Sequence, residues 1–236
     1  MLENYENKLK GIQNLMLDIV AETLDSMNIV FSGFENQDRT VLPKASNILF
    51  HVGSLIPNVN EKILIILALF SPNASDLKKI MAYMQILGEL RRIKSNIGTY
   101  SKCFDIYFDS DVCSKEINSF LLSLHRCSWK SMKILKGNFF LINKEGAEDK
   151  IKINYSAIKA QKIKALSIYS LLERHIYSVL LEKNKQYIIK EYFYSLEGFI
   201  KLRNINKKAL NIADYFMFGK TGNISRVLKR RYLKSL

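Results

Sequence analysis

Apolar side chains at helical spacing constrain this chain more than any other feature. Between residues 80 and 104 they recur at steps of three and four: Ile80, Met84, Leu87, Leu90, Ile93, Ile97, Tyr100 and Phe104. That spacing is typical of one face of an α-helix. Only 3 prolines and 10 glycines interrupt the 236 residues, and the Asn-Gly and Asp-Gly pairs of tight hairpins are absent. The sequence therefore predicts an all-α protein with long helices.

The same stripe of apolar residues returns 112 positions later in the chain. Ile80 corresponds to Tyr192 and Phe104 to Phe216, and every apolar position between them stays apolar. Two amphipathic stripes match at some offset by chance, but here the order of three helices repeats as well. We therefore expect two tandem three-helix bundles, six long helices in all, related by an internal two-fold repeat.

Breaker and cap residues set the expected helix ends. The first half has predicted helices at 5–34, 43–70 and from the Ser71-Pro72-Asn73 turn to about 107; the second half has them at about 112–142, 151–183 and 186–218. We expect stops at Gly33, Asn184 and Gly219, a kink or break at Pro57, and a cap from Asn73 or Ser75. The expected units are residues 1–108, 109–222 and a tail at 223–236.

Charge and cysteine content limit the partners and the compartment. The formal net charge is +14, which favours anionic partners, although a Lys-, Ile- and Asn-rich composition also follows from AT-rich coding. The tail is strongly basic, with Arg226, Lys229, Arg230 and Arg231, and it either contacts anionic lipid or an acidic partner or stays solvated. Three cysteines without a CxxC pair, and a start that does not resemble a signal peptide, favour a reducing cytoplasm.

The stretch "LALFSPNASDLKKIMAYMQILGELRRIKSNIG" resembles the first signature of the PhoU family of phosphate-uptake regulators. That signature is close to LALxxPxAxDLRxIxxxxKIxxDLERIGDxAxNIA, and its matched positions include Pro72, Asp76, Leu77 and Arg92. "LRNINKKALNIADYFMFGKTG" matches the second signature more weakly, with Asn211 and Asp214 in step. With the six-helix plan, the resemblance extends over roughly residues 5–222.

The resemblance implies a cytoplasmic, non-catalytic adaptor that regulates phosphate transport and phosphate-starvation signalling. It implies two kinds of partner, the ATPase subunit of a phosphate transporter and a membrane sensor kinase, and homodimers are common in the family. A membrane would be contacted only peripherally. A second possibility is a paralogue of the same fold with an unrelated regulatory partner.

The chain departs from the family where the family binds metal through an E-x-x-x-D pair in each half. At these positions it carries Arg91 and Ser95 in the first half, and Arg203 and Lys207 in the second. Glu89 does not replace the lost carboxylate, because it lies about 200° round the helix from Arg91. No acidic residue occurs at positions 39–60 or 150–172. We therefore expect no bound metal and no cofactor.

Two interpretations of this exchange remain open. In the first, the metal site was abandoned, and long basic side chains accumulated on a solvated surface. In the second, Arg91, Lys94, Arg203 and Lys207 form a positive face that binds phosphate or an acidic loop of a partner.

No other motif in the sequence indicates a catalytic or metal site. His51, His125 and His175 are isolated and read as ordinary surface or core residues, and there is no P-loop, GxSxG or GxGxxG. An enzyme is therefore not expected. The high positive charge leaves a basic helical nucleic-acid-binding protein as the alternative from a different class, but aromatic and basic residues do not alternate as they do in single-strand binders, so nucleic acid is not the expected partner.

Overall fold

The computed structural model describes residues 2–108, 114–142, 144–183 and 189–222. These residues form six long helices: α1 (Leu2–Asn36), α2 (Leu42–Leu69), α3 (Ala74–Phe108), α4 (Lys115–Leu141), α5 (Glu148–Lys183) and α6 (Ile189–Thr221). A short 3₁₀ helix, Arg39–Val41, joins α1 to α2. The described residues contain no β-strand, so the predicted all-α class is confirmed.

The helices α3 and α6 form the centre of the molecule. They run antiparallel, since a side chain at Gly198 would meet Cys103 and one at Gly219 would meet Ala82. The helix α2 flanks α3, and α5 flanks α6. The helices α1 and α4 touch each other and cover one side of this row of four. A single hydrophobic core runs through both halves, because each half buries its apolar stripes against the other as well as within itself.

The two halves repeat the same pattern of burial. At the predicted offset of 112, Ile80 and Tyr192 are both buried, as are Phe104 and Phe216. Between α2 and α5 the buried positions instead match at an offset of 113, shown by Ala45 with Ile158, Val52 with Ala165 and Val59 with Leu172. The six-helix plan of two three-helix bundles is thus present. The boundaries of the predicted units stay predictions.

Local chemistry explains where several helices begin and end. The backbone N–H of Asp76 donates to Oδ1 of Asn73 at 2.9 Å, so of the two predicted caps for α3, Asn73 is the one used. The helix α4 begins after Ser114, whose side chain accepts from the N–H of Ile117. The helix α6 ends before Gly222, which has φ +69° and donates its N–H to the carbonyl of Phe218 at 2.7 Å.

Two predicted helix stops are wrong, and of the kink or break predicted at Pro57 the break is wrong, while the kink stays a prediction. The helix α1 continues through Gly33 to Asn36. Gly33 instead leaves space for the chain that follows the helix, because a Cβ there would lie 2.7 Å from the carbonyl oxygen of Asp38. The helix α6 continues through Gly219, which lies against Ala82. The helix α2 is unbroken at Pro57. Pro57 has no N–H to donate to the carbonyl of Gly53, and its ring lies on the exposed side of the helix. Residues 109–111, where the second predicted unit begins, the stop at Asn184 and the basic tail lie outside the described residues.

Candidate functional site

In the first half, the basic residues lie on the side of α3 that faces α2. The Nζ atom of Lys94 lies 2.8 Å from the position that a Cβ on Gly53 would occupy, so its side chain crosses to α2. Arg91 and Ser95 are exposed one turn apart on α3. Among the described residues, neither Arg91 nor Lys94 has a hydrogen bond or an ion pair. Both charges are therefore balanced by solvent alone.

In the second half, Arg203 has an aromatic partner. Its guanidinium carbon lies 4.3 Å from the centre of the Tyr169 ring on α5, a cation–π contact. The hydroxyl of Tyr169 donates to Oε1 of Glu173 at 3.3 Å. Burial and the Glu173 carboxylate raise the pKa of Tyr169, while the nearby Arg203 opposes them. Lys207 is exposed one turn further along α6.

The basic residues of the two halves have different neighbouring helices, and their combination into one positive face stays a prediction. Lys94 lies against α2 and Arg91 is exposed one turn earlier on α3, whereas Arg203 lies against α5 on the other flank of the central pair. Each half therefore has its own basic surface, and the two differ. The basic surface of the second half includes an acidic neighbour, Glu173. The basic surface of the first half has no such neighbour at positions 39–60, where the sequence has no Asp or Glu.

A buried charge cluster joins α3 to α6, and sequence reasoning missed it. The side chain of Glu89 is only 2 % exposed. Its Oε1 accepts from Nη1 of Arg92 at 2.8 Å and from Nδ2 of Asn211 at 3.2 Å. The Nζ atom of Lys208 lies 3.4 Å from Oε2, an ion-pair distance. The helical spacing could have predicted that Glu89 is buried, because it lies three residues after Ile86 and four before Ile93, on the same face as the apolar residues.

The isolated histidines have separate surroundings. The Nδ1 atom of His51 lies 2.7 Å from Oε2 of Glu22 at the surface, and His175 packs near the ring of Phe120. His125 is buried and stacks on Phe31 with ring centres 4.6 Å apart, and burial lowers its pKa to about 3. Within the described ranges, no three His, Cys, Asp or Glu residues come together as metal ligands would.

The two cysteines in the described part of the chain are buried in the core. Burial raises the pKa of both Cys103 and Cys127, so both thiols stay protonated near neutral pH and are poor nucleophiles. Cys113 lies outside the described residues. Neither described cysteine belongs to an arrangement suited to catalysis.

The segment Arg39–Leu69 is long and apolar enough to cross a bilayer by length and composition. This is weak evidence, since core helices of other proteins satisfy the same criterion. The longest unbroken apolar run, residues 63–70, extends one residue past this segment and has eight residues, too few to span.

No protein-family model and no curated protein matches the sequence. Solved structures do match. The crystal structure of PhoU from Pseudomonas aeruginosa is 16% identical with a TM-score of 0.81, over 93% of this chain and 100% of that one. The phosphate transport system regulatory protein PhoU from Streptococcus pneumoniae is also 16% identical, with a TM-score of 0.78 over 93% of this chain and 98% of that one. The chain has the PhoU fold.

The residues that match the PhoU signatures have identifiable contacts. Pro72 and Asp76 lie at the α2–α3 turn, where Asp76 forms an ion pair with Lys79 at 3.2 Å. Both line an open groove of about 860 Å³ beside Tyr5; burial and the Asp76 carboxylate raise the pKa of that tyrosine to about 12. Arg92 and Asn211 both bind Glu89. Asn211 is therefore a signature residue that joins α6 to α3, whereas Arg92 binds Glu89 within α3.

The residues at the family's metal positions do not fit a metal. A hard divalent or trivalent cation needs several anionic oxygens, and the positions offer Arg91, Ser95, Arg203 and Lys207. Among the described contacts, Glu173 shares Tyr169 with Arg203, and its Oε1 already accepts from the Tyr169 hydroxyl. One carboxylate next to a guanidinium does not make a cation site.

Proposed function

We propose that this protein is a non-catalytic cytoplasmic adaptor of the PhoU type, which regulates phosphate transport and phosphate-starvation signalling through contacts with other proteins. The fold supports this proposal, since the similarity to PhoU structures extends over 93% of the chain. The expected partners are a phosphate-transporter ATPase subunit and a membrane sensor kinase. The comparisons give no support to the nucleic-acid alternative.

One observation carries the proposed mode of action: Arg91 stands at a position where a metal ligand is expected and, like the nearby Lys94, has no acidic partner among the described residues. Arg91 and Lys94 are accessible and carry charges that a partner's carboxylates can satisfy. Charge-assisted hydrogen bonds from arginine to carboxylate are strong and directional. The protein would then contact an acidic protein surface directly, without the metal cluster on which the family relies.

The direct test is affinity purification of the full chain from cells grown with abundant and with scarce phosphate. We expect phosphate-transporter and sensor-kinase subunits among the bound proteins, with amounts that change with phosphate supply. The double variant Arg91→Glu with Arg203→Glu should bind them at least about tenfold less. The control, Lys102→Glu with Lys115→Glu, makes the same charge change elsewhere. Partners that are unrelated to phosphate and do not respond to it would contradict the proposal.

Metal content tests the interpretation of these positions. A guanidinium about 4 Å from a divalent cation repels it by roughly 8 kcal/mol at an effective dielectric of about 20. Protein purified without chelator should therefore contain no stoichiometric iron, zinc, manganese or magnesium by elemental analysis. A metal that is bound stoichiometrically and lost in Arg91→Ala would mean that the assignment of positions is wrong. If these residues bind free phosphate, phosphate should raise the Tm of the wild type but not of Arg91→Ala with Arg203→Ala.

A further inference from the structure

Large apolar side chains are exposed on the outer surface of α2 and α3. Leu64 on α2 is 61% exposed, and on α3 Met81 is 48% and Met84 42% exposed. Over the most apolar stretch of α2, only 28% of the residues are buried. The helix α1 packs against both helices of this pair, and these side chains stay exposed. The outer side is therefore not covered by any helix among the described residues, and exposed apolar patches of this kind mark interaction sites.

The register of the two helices brings these side chains together. Leu49 lies opposite Gly98, and Gly53 lies opposite Lys94. Since α2 and α3 are antiparallel, residues whose numbers add up to about 147 lie opposite each other. Leu64 therefore flanks Met84 and Met81, and the three form one patch, the α2–α3 patch. Methionine side chains are flexible and adapt to different apolar surfaces.

Positive charge follows the patch along α3. Arg91 lies seven residues, or about 10 Å, beyond Met84, and Lys94 lies nearly one turn further. A Cβ on Gly88, between Met84 and Arg91, would have nothing within 4 Å. The surface is thus apolar at one end, open in the middle and basic at the other end.

The second half shows why the charge on the first half is available. There, Arg203 stacks on Tyr169, and the carboxylate of Glu173 lies at the same ring. At the offset of 113 that matches burial on α5 and α2, the residues corresponding to Tyr169 and Glu173 are Ile56 and Asn60. Arg91 therefore has neither the aromatic ring nor the carboxylate that Arg203 has.

We propose that the α2–α3 patch, with Arg91 and Lys94, binds an amphipathic helix with acidic residues from a partner protein. Two adjacent antiparallel helices offer a third helix a groove to pack into, and exposed apolar anchors with a charged end are typical of helix-in-groove recognition. Met81 to Lys94 spans about 20 Å, which is about 13 residues of helix. The partner helix should carry apolar residues at i, i+3 or i+4, and i+7, and an Asp or Glu one to two turns beyond.

A protein partner is favoured over an anionic bilayer by the acidic residue on the same helix. Glu61 is the one acidic residue of α2 and is exposed one turn before Leu64. An anionic lipid surface would repel its carboxylate wherever the patch inserted, whereas a discrete partner can place a basic group or water there. This inference rests on the proposed function and specifies the surface on which the adaptor acts.

The test is photocrosslinking in cells, with p-benzoylphenylalanine in place of Met84. Crosslinked peptides are identified by mass spectrometry. The control position is Ile153 on α5, which is 67% exposed and lies in the other half. We expect Met84 to capture one segment with the stated helical pattern and an acidic residue, at least about tenfold more than Ile153 does. Capture of lipid, of a second copy of this chain, or of no segment would overturn the proposal.

Charge reversal then tests the basic end of the surface. Arg91→Glu with Lys94→Glu should lower the crosslink yield at Met84 at least about tenfold, and Asp or Glu→Lys in the captured segment should restore it. Lys102→Glu with Lys115→Glu, which makes the same charge change elsewhere, is the matched control. An unchanged Tm shows that the variants still fold. An unchanged yield in the double variant would overturn the role of Arg91 and Lys94.

The outcomes separate this inference from the proposed function. If phosphate-dependent partners still co-purify with the Arg91→Glu and Lys94→Glu variant, the adaptor role stands and the surface assignment fails. If the crosslinked segment belongs to a protein whose capture does not depend on phosphate, the surface assignment stands and the phosphate role fails.

Discussion

The carboxylate of Glu89 is the charge that the described residues bury most deeply, and it links α3 to α6. Its partners differ in exposure: the side chain of Lys208 is 21% exposed and that of Arg92 57%. A buried carboxylate is stable only while such partners satisfy it. Because Glu89 lies on the seam between the two halves, its contacts contribute to their mutual orientation as well as to stability.

Glu89→Ala should therefore lower the free energy of unfolding by about 2–4 kcal/mol, because it leaves cationic groups without their partner. The control is Glu197→Ala, which removes an exposed ion pair with Lys201 at 3.3 Å and should cost less than about 1 kcal/mol. Urea unfolding measures both. Equal losses in the two variants would show that the buried cluster contributes no more than a surface pair.

His125 should make stability depend on pH. Its folded pKa is about 3, below the value of about 6.5 in an unfolded chain, so at intermediate pH only the unfolded state binds the proton. The stability it contributes is complete above pH 6.5 and is lost as the pH falls towards 3, by up to about 1.4 kcal/mol per pH unit. In His125→Phe, the slope of stability between pH 7 and 5 should be smaller. An unchanged slope in His125→Phe would mean that this buried imidazole does not carry the pH dependence.

At the scale of helices, periodicity in the sequence predicted all six elements and most of their ends to within a few residues. The helix stops that the sequence predicts at Gly33 and Gly219 are wrong. Both glycines instead lie where another segment approaches closely, and a single sequence cannot distinguish that requirement from a helix end. The candidate site shows the same limit. The arginine positions could be read from the family resemblance, but the contact of Arg203 with Tyr169 depends on the register of α5 against α6.

The close approach of α3 and α6 can be tested at Gly198. A Cβ there would lie 2.8 Å from the Cβ of Cys103, so Gly198→Ala should force the helices apart and lower stability by about 1–3 kcal/mol. Gly137→Ala on α4, where a Cβ meets nothing within 4 Å, should raise stability by up to about 1 kcal/mol through helix propensity. A stabilising Gly198→Ala would mean that the central pair is less closely packed than described. Thermal unfolding followed by circular dichroism measures both variants.

For the whole molecule, the part that repeats is one half of the chain, whereas the part that packs as a stable unit is the whole chain. Each half repeats the same three helices, yet the most extensive packing joins α3 of one half to α6 of the other. The contacts of Ala82, Glu89 and Cys103 all cross this seam. A three-helix half is therefore a repeat in sequence and shape, but its central helix is incomplete without the other half.

The full chain should consequently unfold in one cooperative transition, and residues 1–108 alone should not. Separated from α6, that half would expose the apolar stripe of α3 and leave Glu89 without Asn211 and Lys208. We expect the fragment to lack a sharp thermal transition by circular dichroism, while co-expression with residues 114–236 should restore one, because the second fragment supplies α6 to the seam. A fragment that melts cooperatively near the Tm of the full chain would show that each bundle is an independent domain, and the seam would then be an interface between two folded units.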